Sequence, residues 1–246
     1  MTTGSTRTAG YQMARAAGRY LTRPVGTIRA VATDAPHVVL TYDDGPDPKG
    51  TPLVLEALAD FGATATFFVL VGRARRHPDL LAELIAAGHE VALHGLDHVR
   101  LTGVPVPEVL RRTQAGRAEL EDLTGTPVRW FRAPYGALLL PHWRAVRRAG
   151  LMPVVWGATP GDWRHVSEET MARDALAASR PGAIVLAHDG HAGPDDGVDD
   201  GPPPPIDRGL LATMMLTGLD EQGLVGRSLS DALCQGTAAR WAWFVR

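Results

Sequence analysis

Cysteine is almost absent from this sequence, with Cys234 the only one in 246 residues. A single thiol excludes an internal disulfide and a zinc site built from several cysteines. No apolar run reaches the roughly 18 residues that a membrane-spanning helix needs. There is no basic surplus either, because the net charge is -2. The composition therefore predicts no nucleic-acid partner.

Hydrophobic residues make up 45% of the chain and charged residues 21%. These proportions are typical of a folded domain with a sizeable core. A length of 246 residues suits one α/β domain or two small ones. No linker divides the chain, so we predict a single catalytic domain over residues 36–246, preceded by a basic extension over residues 1–35.

The predicted extension carries five arginines and one acidic residue, Asp34. It lacks the apolar core of a secretory signal, so we expect a cytoplasmic protein. A helix over Tyr11–Leu21 would place Arg15 and Arg19 on one face and small apolar residues on the other. A peripheral membrane contact is one interpretation of this helix. Packing on the catalytic domain, or a frayed arm, is favoured because the apolar face is small.

Short apolar runs alternate with segments that read as helices. The predicted strands are 38–42, 64–71, 90–94, 129–132, 152–156, 183–188 and 224–227. The predicted helices are 51–61, with Thr51 as its cap, 78–87, 107–123, 139–148, 167–178 and 206–221. This alternation predicts an α/β fold with parallel strands. About seven units would form a barrel or a long open sheet.

One segment, Gly193–Pro205, is acidic, rich in glycine and proline, and unsuited to regular structure. A mobile lid and a tolerated surface insertion are equally weighted interpretations. We expect it to be mobile, to border the mouth of the site, and to be removable without loss of metal binding.

Five motifs stand at the ends of the apolar runs. They are TYDDG (41–45), HGLDH (94–98), RAPYG (132–136), GDW (161–163) and LAHDG (186–190). Proteins built from βα units place their chemistry at the carboxyl ends of the strands. The five motifs therefore predict one metal-assisted hydrolytic site assembled from distant parts of the chain.

The first two motifs contain candidate metal ligands. His94 and His98 are four residues apart, so on a helical turn they would share a face and could bind one cation. Asp43 and Asp44 point to different sides at a strand end, so one could bind the metal while the other takes a proton. Two histidines and one carboxylate leave open positions for water and substrate, which is typical of a catalytic site.

The other motifs supply charge and a proton donor. Arg132 at a strand end needs an anionic partner, for which Asp43 or Asp44 is the candidate. The turn after it could direct a backbone N–H at a developing oxyanion. His188 has a pKa suited to protonating a leaving amine, and Asp162 could orient its ring. Weaker candidates are set aside: Asp97, Asp189, His89, His165 and His191.

These motifs resemble those of the polysaccharide deacetylase family, carbohydrate esterase family four. TYDDG is similar to its TFDDG motif and HGLDH to its H-S/T-x-x-H motif. RAPYG matches R-x-P-Y-G, Asp162-Trp163 matches its D-W motif, and the 186–188 run matches L-x-H. All five motifs occur in order between residues 36 and 236, which makes the resemblance very specific.

The resemblance implies a distorted (β/α) barrel and N-deacetylation with one divalent metal ion, for which zinc is expected. By the same resemblance, Asp44, His94 and His98 are the metal ligands and Asp43 is the general base. The implied catalytic partners are Arg132, which orients Asp43, the Tyr135 backbone N–H, which binds the oxyanion, and His188 with Asp162 as the general acid pair. The implied substrate contacts are Pro134, Trp163 and Leu186.

The chain departs from the family pattern at Gly95, which stands where Ser or Thr usually follows the first metal histidine. One loop-stabilising hydroxyl is therefore missing. The expected substrate is a small N-acetylated amino sugar or a related intracellular glycoside. Alternatives are hydrolysis of another C–N bond, in a formamide or cyclic ureide, a two-histidine, one-carboxylate iron oxygenase, and a non-catalytic sugar-binding module.

Overall fold

The structure, a computed structural model, describes residues 25–245. The helix predicted over Tyr11–Leu21 and the arginines at positions 7 to 23 lie outside the described residues. Within the described range, no helix combines the length and the apolar character needed to cross a membrane.

The described chain alternates strands and helices. The strands are β1 (Thr27–Ala32), β2 (His37–Asp43), β3 (Thr66–Leu70), β4 (Glu90–Gly95), β5 (Trp130–Phe131), β6 (Met152–Pro153), β7 (Ile184–His188), β8 (Val225–Arg227) and β9 (Thr237–Trp241). The helices are α1 (Thr51–Asp60), α2 (Val71–Arg76), α3 (Pro78–Ala86), α4 (Val106–Thr124), α5 (Leu140–Arg148), α6 (Glu168–Ala178), α7 (Arg208–Glu221) and α8 (Leu229–Cys234). Every predicted strand and helix of residues 36–246 is present, with boundaries shifted by a few residues.

Seven strands form one parallel sheet. Its order is β6-β5-β4-β3-β2-β7, and β8 pairs with the first half of β2. Isolated bridges connect the two ends of this sheet: Ile28 of β1 pairs with Val154 after β6, and Ala30 pairs with Ala183 before β7. Ala158 also pairs directly with Val185 of β7. The sheet therefore curves into a distorted barrel, and the predicted fold class is confirmed.

Strand β1 lies within the segment predicted as an extension. It pairs antiparallel with β9 in a two-stranded sheet and carries the bridges that join the sheet ends. Neither β1 nor β9 was predicted, and α2 and α8 were missed as well. The proposed division between residues 35 and 36 stays a prediction, since residues 1–24 lie outside the described range.

Alternation along β2 decides which side chains reach the barrel interior. Val38, Leu40 and Tyr42 belong to the core between the sheet and its helices. Val39 lies in the smaller interior core, with Phe68 of β3 and Ile184 of β7. The same alternation turns Asp43 inward, at the carboxyl end of the strand. The two-residue alternation of β2 therefore places the Asp43 side chain in the barrel interior.

The start of α1 differs from the prediction. Gly50, not Thr51, is the N-cap residue, and Thr51 is the first helical residue. The Thr51 hydroxyl instead donates to Asp189 Oδ2 at 2.5 Å and accepts from the backbone N–H of Asp47. The threonine thus links the β2–α1 loop to the end of β7 rather than capping its own helix.

The hydroxyl of Tyr42 is buried without a hydrogen-bond partner among the described residues. A buried, unpaired polar group costs roughly 1–3 kcal/mol. We therefore predict that Tyr42→Phe raises the free energy of unfolding by about 1 kcal/mol, measured by urea denaturation. Tyr135→Phe is the matched control, because its hydroxyl donates to Asp200; it should not stabilise the protein. A lower unfolding free energy for Tyr42→Phe would show that its hydroxyl is satisfied in solution.

Candidate active site

The two aspartates at the end of β2 point in different directions, as predicted. Asp43 is the last residue of the strand, and Asp44 has a φ of 76°, in the left-handed region. A non-glycine residue held there carries a conformational cost of roughly 1–3 kcal/mol, which functional sites often retain. This turn separates the two carboxylates and allows them different tasks.

Asp44, His94 and His98 form the candidate metal site. All three are buried, and one ligand atom from each lies within 4.8 Å of the others. Asp44 Oδ1 is 3.3 Å from His94 Nε2 and 3.3 Å from His98 Nε2. The structure therefore brings together the three residues predicted as ligands.

The two histidines reach this point by a route that differs from the prediction. His94 belongs to strand β4, and His98 lies in the loop after it, so they do not share a helical turn. The chain bends at Gly95, where an added Cβ would lie 2.6 Å from the backbone oxygen of Asp97. The backbone therefore requires glycine here, because the serine or threonine of the family pattern would clash at this bend.

Hydrogen bonding and burial leave both rings ready to bind a cation. His94 Nδ1 donates to the backbone oxygen of Arg132 at 2.8 Å, which directs the lone pair of Nε2 at the site. Burial lowers the pKa of His98 to about 4, so this ring is neutral at neutral pH. Burial alone would raise the pKa of Asp44, but the nearby imidazoles of His94, His98 and His188 hold it well below the usual range.

These residues fit a divalent metal ion. Asp44 Oδ1 is buried and has no hydrogen-bond partner among the described residues, although a carboxylate oxygen removed from water needs one. Two imidazole nitrogens and one carboxylate oxygen are typical zinc ligands. Metal–ligand distances of about 2.0–2.1 Å would separate tetrahedral ligands by about 3.3 Å. The two separations of 3.3 Å agree with this spacing.

Arg132 holds the other aspartate. It is fully buried, and its Nη1 donates to Asp43 Oδ1 at 2.6 Å and to Thr41 Oγ1 at 2.8 Å. Burial lowers the pKa of Arg132, while the charge of Asp43 opposes that shift. Of the two candidate partners, Asp43 is the one that pairs with the arginine. Its second oxygen stays near the metal site, 4.0 Å from His94 Nε2.

His188 and Asp162 form the predicted pair. His188 Nδ1 donates to Asp162 Oδ1 at 2.8 Å, and the backbone N–H of His188 donates to Asp162 Oδ2 at 2.7 Å. Burial alone would lower the pKa of His188, but the charge and hydrogen bond of Asp162, with the charges of Asp44 and Asp43, raise it to about 9. His188 is therefore protonated in the absence of a cation. A bound cation would lower this value.

A cavity of about 530 Å³ joins these groups. Asp43 and His188 contribute to its lining, as do Leu186, Tyr135 and Trp163. Trp163 is 51% exposed, and its ring lies perpendicular to the His188 ring with the centroids 5.7 Å apart. Pro134 is buried and does not line this cavity; it belongs to the short 3₁₀ turn that carries Tyr135. Of the three predicted substrate contacts, Leu186 and Trp163 therefore lie at the cavity wall, and Pro134 does not.

The acidic segment Gly193–Pro205 borders the mouth of the cavity, as predicted. Asp200, Pro202 and Pro204 line it. The expected mobility is not supported for the first part, where a 3₁₀ turn spans Pro194–Asp196 and the Asp196 carboxylate is buried between two arginines. Internal ion pairs were not visible from a composition of glycine, proline and aspartate.

Two important residues carry no clear signal in the sequence. Arg208 donates to the backbone oxygen of His188 at 2.5 Å and lies 3.5 Å from Asp162 Oδ2. Asp189, set aside above, is buried and accepts from the backbone N–H of Gly45. An added Cβ at Gly45 would lie 2.0 Å from the Asp189 carboxylate, so only glycine allows this close contact. Asp189 thereby fastens the residue next to Asp44 to the end of β7.

Comparisons of the sequence with known proteins indicate its family. A polysaccharide deacetylase family model matches residues 30–154. A chitooligosaccharide deacetylase of Rhizobium leguminosarum bv. trifolii is 36% identical over 193 residues, covering 78% of this chain and 82% of that protein. A chitooligosaccharide deacetylase of Sinorhizobium fredii is 39% identical, covering 67% and 77%.

Solved structures show the same fold. The Bc1960 peptidoglycan N-acetylglucosamine deacetylase superposes with a TM-score of 0.72 at 25% identity, covering 86% of this chain and 93% of that one. BA3943, a carbohydrate esterase family four pseudoenzyme of Bacillus anthracis, superposes with a TM-score of 0.74 at 21% identity, covering 87% and 71%.

The barrel and its metal-binding pocket are those of a hydrolase of the carbohydrate esterase class. More particularly, the chain belongs to the polysaccharide deacetylase family, carbohydrate esterase family four. The resemblance inferred from the five motifs is thereby confirmed, as is the prediction of an N-deacetylase-type enzyme at the level of the family.

The metal site generates the first functional prediction. His94→Ala and His98→Ala should each weaken zinc binding by more than the roughly 10–100-fold that loss of a supporting contact costs. Competition with a chromophoric chelator would measure the zinc affinity. His165→Ala is the control, since His165 lines the same cavity but is exposed and is no proposed ligand. Full zinc occupancy in either ligand variant would disprove the three-residue site.

Proposed function

We propose that this protein is a zinc-dependent amide hydrolase that removes an acetyl group from an N-acetylated amino sugar, releasing acetate and a free amine. The single observation that carries this proposal is the placement of two distinct proton-transfer groups around one three-residue metal site. Asp43 and His188 both line the cavity that contains Asp44, His94 and His98. The names of the relatives, which are chitooligosaccharide and peptidoglycan deacetylases, support the substrate class.

A divalent ion held by Asp44, His94 and His98 would polarise the amide carbonyl and acidify a water molecule. Asp43 accepts the proton of the attacking water through its free oxygen, because its other oxygen is engaged by Arg132. The buried guanidinium of Arg132 fixes the direction of the Asp43 carboxylate. Tyr135, whose φ is 60°, is held in a turn at the cavity wall. Its backbone N–H donates a hydrogen bond to the developing oxyanion.

His188 completes the reaction as the general acid. Its Nδ1 is engaged by Asp162, which leaves Nε2 to protonate the departing nitrogen. Protonation converts the nitrogen into a neutral amine leaving group and allows the C–N bond to break. Leu186 at the cavity wall provides an apolar contact for the acetyl methyl.

The alternatives fit this site less well. A formamide or a cyclic ureide is also a planar C–N substrate, but neither needs the exposed aromatic face of Trp163, which suits a sugar ring. An iron oxygenase uses two histidines and one carboxylate. It needs neither the ion pair of Asp43 with Arg132 nor the His188–Asp162 pair. A sugar-binding module needs no proton-transfer groups at all.

We extend this proposal to the size of the substrate and the location of the protein. We propose a small N-acetylated glycoside, because Asp200, Pro202 and Pro204 stand at the cavity mouth and limit the space for a long polymer. We also propose a cytoplasmic location, which cell fractionation with an antibody to the full chain would test. Recovery of the protein outside the cytoplasm would redirect the substrate search to cell-wall polymers.

Acetate release tests the proposed reaction. The zinc-loaded protein should release acetate from N-acetylated amino sugars or their oligomers, detected by mass spectrometry as loss of one acetyl group. Asp43→Asn should keep its zinc and lose turnover roughly 10²–10⁴-fold, because the new amide oxygen can still accept from Arg132 but cannot abstract a proton. Asp97→Asn, an acidic residue of the same metal-site loop paired with Arg112, is the control and should stay active. If Asp43→Asn loses zinc, the two aspartates have exchanged roles.

The pH dependence tests the acid. A general acid must be protonated, so activity falls as pH rises through the pKa of His188. Since Asp162 raises that pKa, Asp162→Asn should move the alkaline limb of kcat to lower pH, toward the ordinary histidine value of about 6.5. Asp174→Asn removes a carboxylate that pairs with Arg164 and does not line the cavity, so it serves as the control. An alkaline limb that is the same in Asp162→Asn and the native protein would contradict this assignment of the acid.

A further inference from the structure

The two metal histidines are held in different ways. The His94 ring is fixed by its own hydrogen bond, from Nδ1 to the backbone oxygen of Arg132 at 2.8 Å. The Nδ1 of His98 is buried and has no hydrogen-bond partner among the described residues. Metal-binding histidines almost always use their second nitrogen for orientation. Something other than a ring hydrogen bond must therefore position His98.

Two contacts position His98 in place of a hydrogen bond from its Nδ1, and both involve the acidic segment Gly193–Pro205. The backbone N–H of His98 donates to the backbone oxygen of Asp196 at 2.8 Å. The His98 ring packs against the ring of Tyr135, with centroids 4.5 Å apart. The Tyr135 hydroxyl in turn donates to Asp200 Oδ2 at 2.5 Å. One end of the segment thus holds the backbone of His98, and the other holds its aromatic neighbour.

The segment is itself anchored strongly enough for this task. The Asp196 carboxylate is buried and pairs with Arg73 at 2.7 Å and with Arg76 at 2.6 Å. Arg73 also donates to Asp47 Oδ2 and to the backbone oxygen of His191. Helix α2, the β2–α1 loop and the segment after β7 therefore meet at one ion cluster. The charge of Asp196 is fully paired, so the cluster acts through position rather than through attraction of the cation.

We propose that Asp196 and Asp200 are positioning residues that hold His98 in its metal-binding orientation. The inference rests on the proposed metal site. It reverses the expectation that the segment could be shortened without loss of metal binding. The bend at Gly95 explains the need, since glycine offers no side chain to brace the loop between the two histidines. The segment is thus part of the metal centre's support, and not only a wall of the substrate cavity.

The test compares zinc affinity across matched aspartate variants, by competition with a chromophoric chelator. Asp196→Ala should weaken zinc binding about 10–100-fold, the usual cost of losing a supporting contact. Asp199→Ala removes the same charge from an exposed position of the same segment and should leave the affinity unchanged. Trp130→Phe removes the donor to Glu90 and controls for a general loss of stability.

Asp200→Ala keeps the test decisive if Asp196→Ala does not fold, because Asp200 is exposed and its one hydrogen bond among residues 25–245 is with the Tyr135 hydroxyl. It should speed zinc dissociation, measured by chelator-driven release, while Asp199→Ala should not. Native-like affinity and release in both Asp196→Ala and Asp200→Ala would overturn the proposal. Failure of the native protein to bind zinc would instead overturn the metal site itself.

Discussion

The buried guanidinium of Arg132 is the contact on which the rest of the site depends. Its Nη1 reaches Asp43 and Thr41 on β2, while its backbone oxygen accepts from His94 of β4. Its backbone N–H donates to Leu93, next to His94. One residue at the end of β5 therefore fixes the proposed general base and one proposed metal ligand together. Removing one partner of a buried ion pair destabilises a fold by about 3–5 kcal/mol. Truncating either Arg132 or Asp43 alone would therefore destabilise the whole site.

The environment of Arg132 explains why this position suits arginine. Two of its nitrogens, Nε and Nη2, have no hydrogen-bond partner among the described residues. The planar group lies over the Phe68 ring at 4.1 Å and near Trp156 at 5.8 Å. A desolvated cation over an aromatic face gains about 2 kcal/mol, which offsets part of the missing hydrogen bonding. A lysine ammonium would lose both the stacking and the fixed direction of the donor.

Much of this arrangement could be predicted from the sequence because strand ends are local features. An apolar run that stops at Asp43, Arg132 or His188 marks both the strand and the chemistry after it. Parallel pairing then brings such ends to one edge of the sheet. The hydrophobic pattern also predicts which strands are buried, which is why the seven interior strands were found.

The remaining parts depend on long-range contacts that no local pattern records. Strands β1 and β9 are only partly apolar, and they become strands by pairing with each other across the whole chain. Asp196 looks like any aspartate of an acidic loop until Arg73 and Arg76 fold against it. Arg208 opens a helix, and nothing in its neighbourhood indicates that it reaches the carbonyl of His188. The shape of the support around the site is therefore a tertiary property.

The fold alone does not decide whether such a protein is active. A family pseudoenzyme shares this fold with a TM-score of 0.74, as close as the active relatives. What differs between an enzyme and an inactive relative must lie in the few side chains at the strand ends. Here both proposed proton-transfer groups are present and each is held by a buried partner, Asp43 by Arg132 and His188 by Asp162. A buried, paired acid and base carry a folding cost that a purely structural barrel has no reason to retain, and this favours catalysis over binding alone.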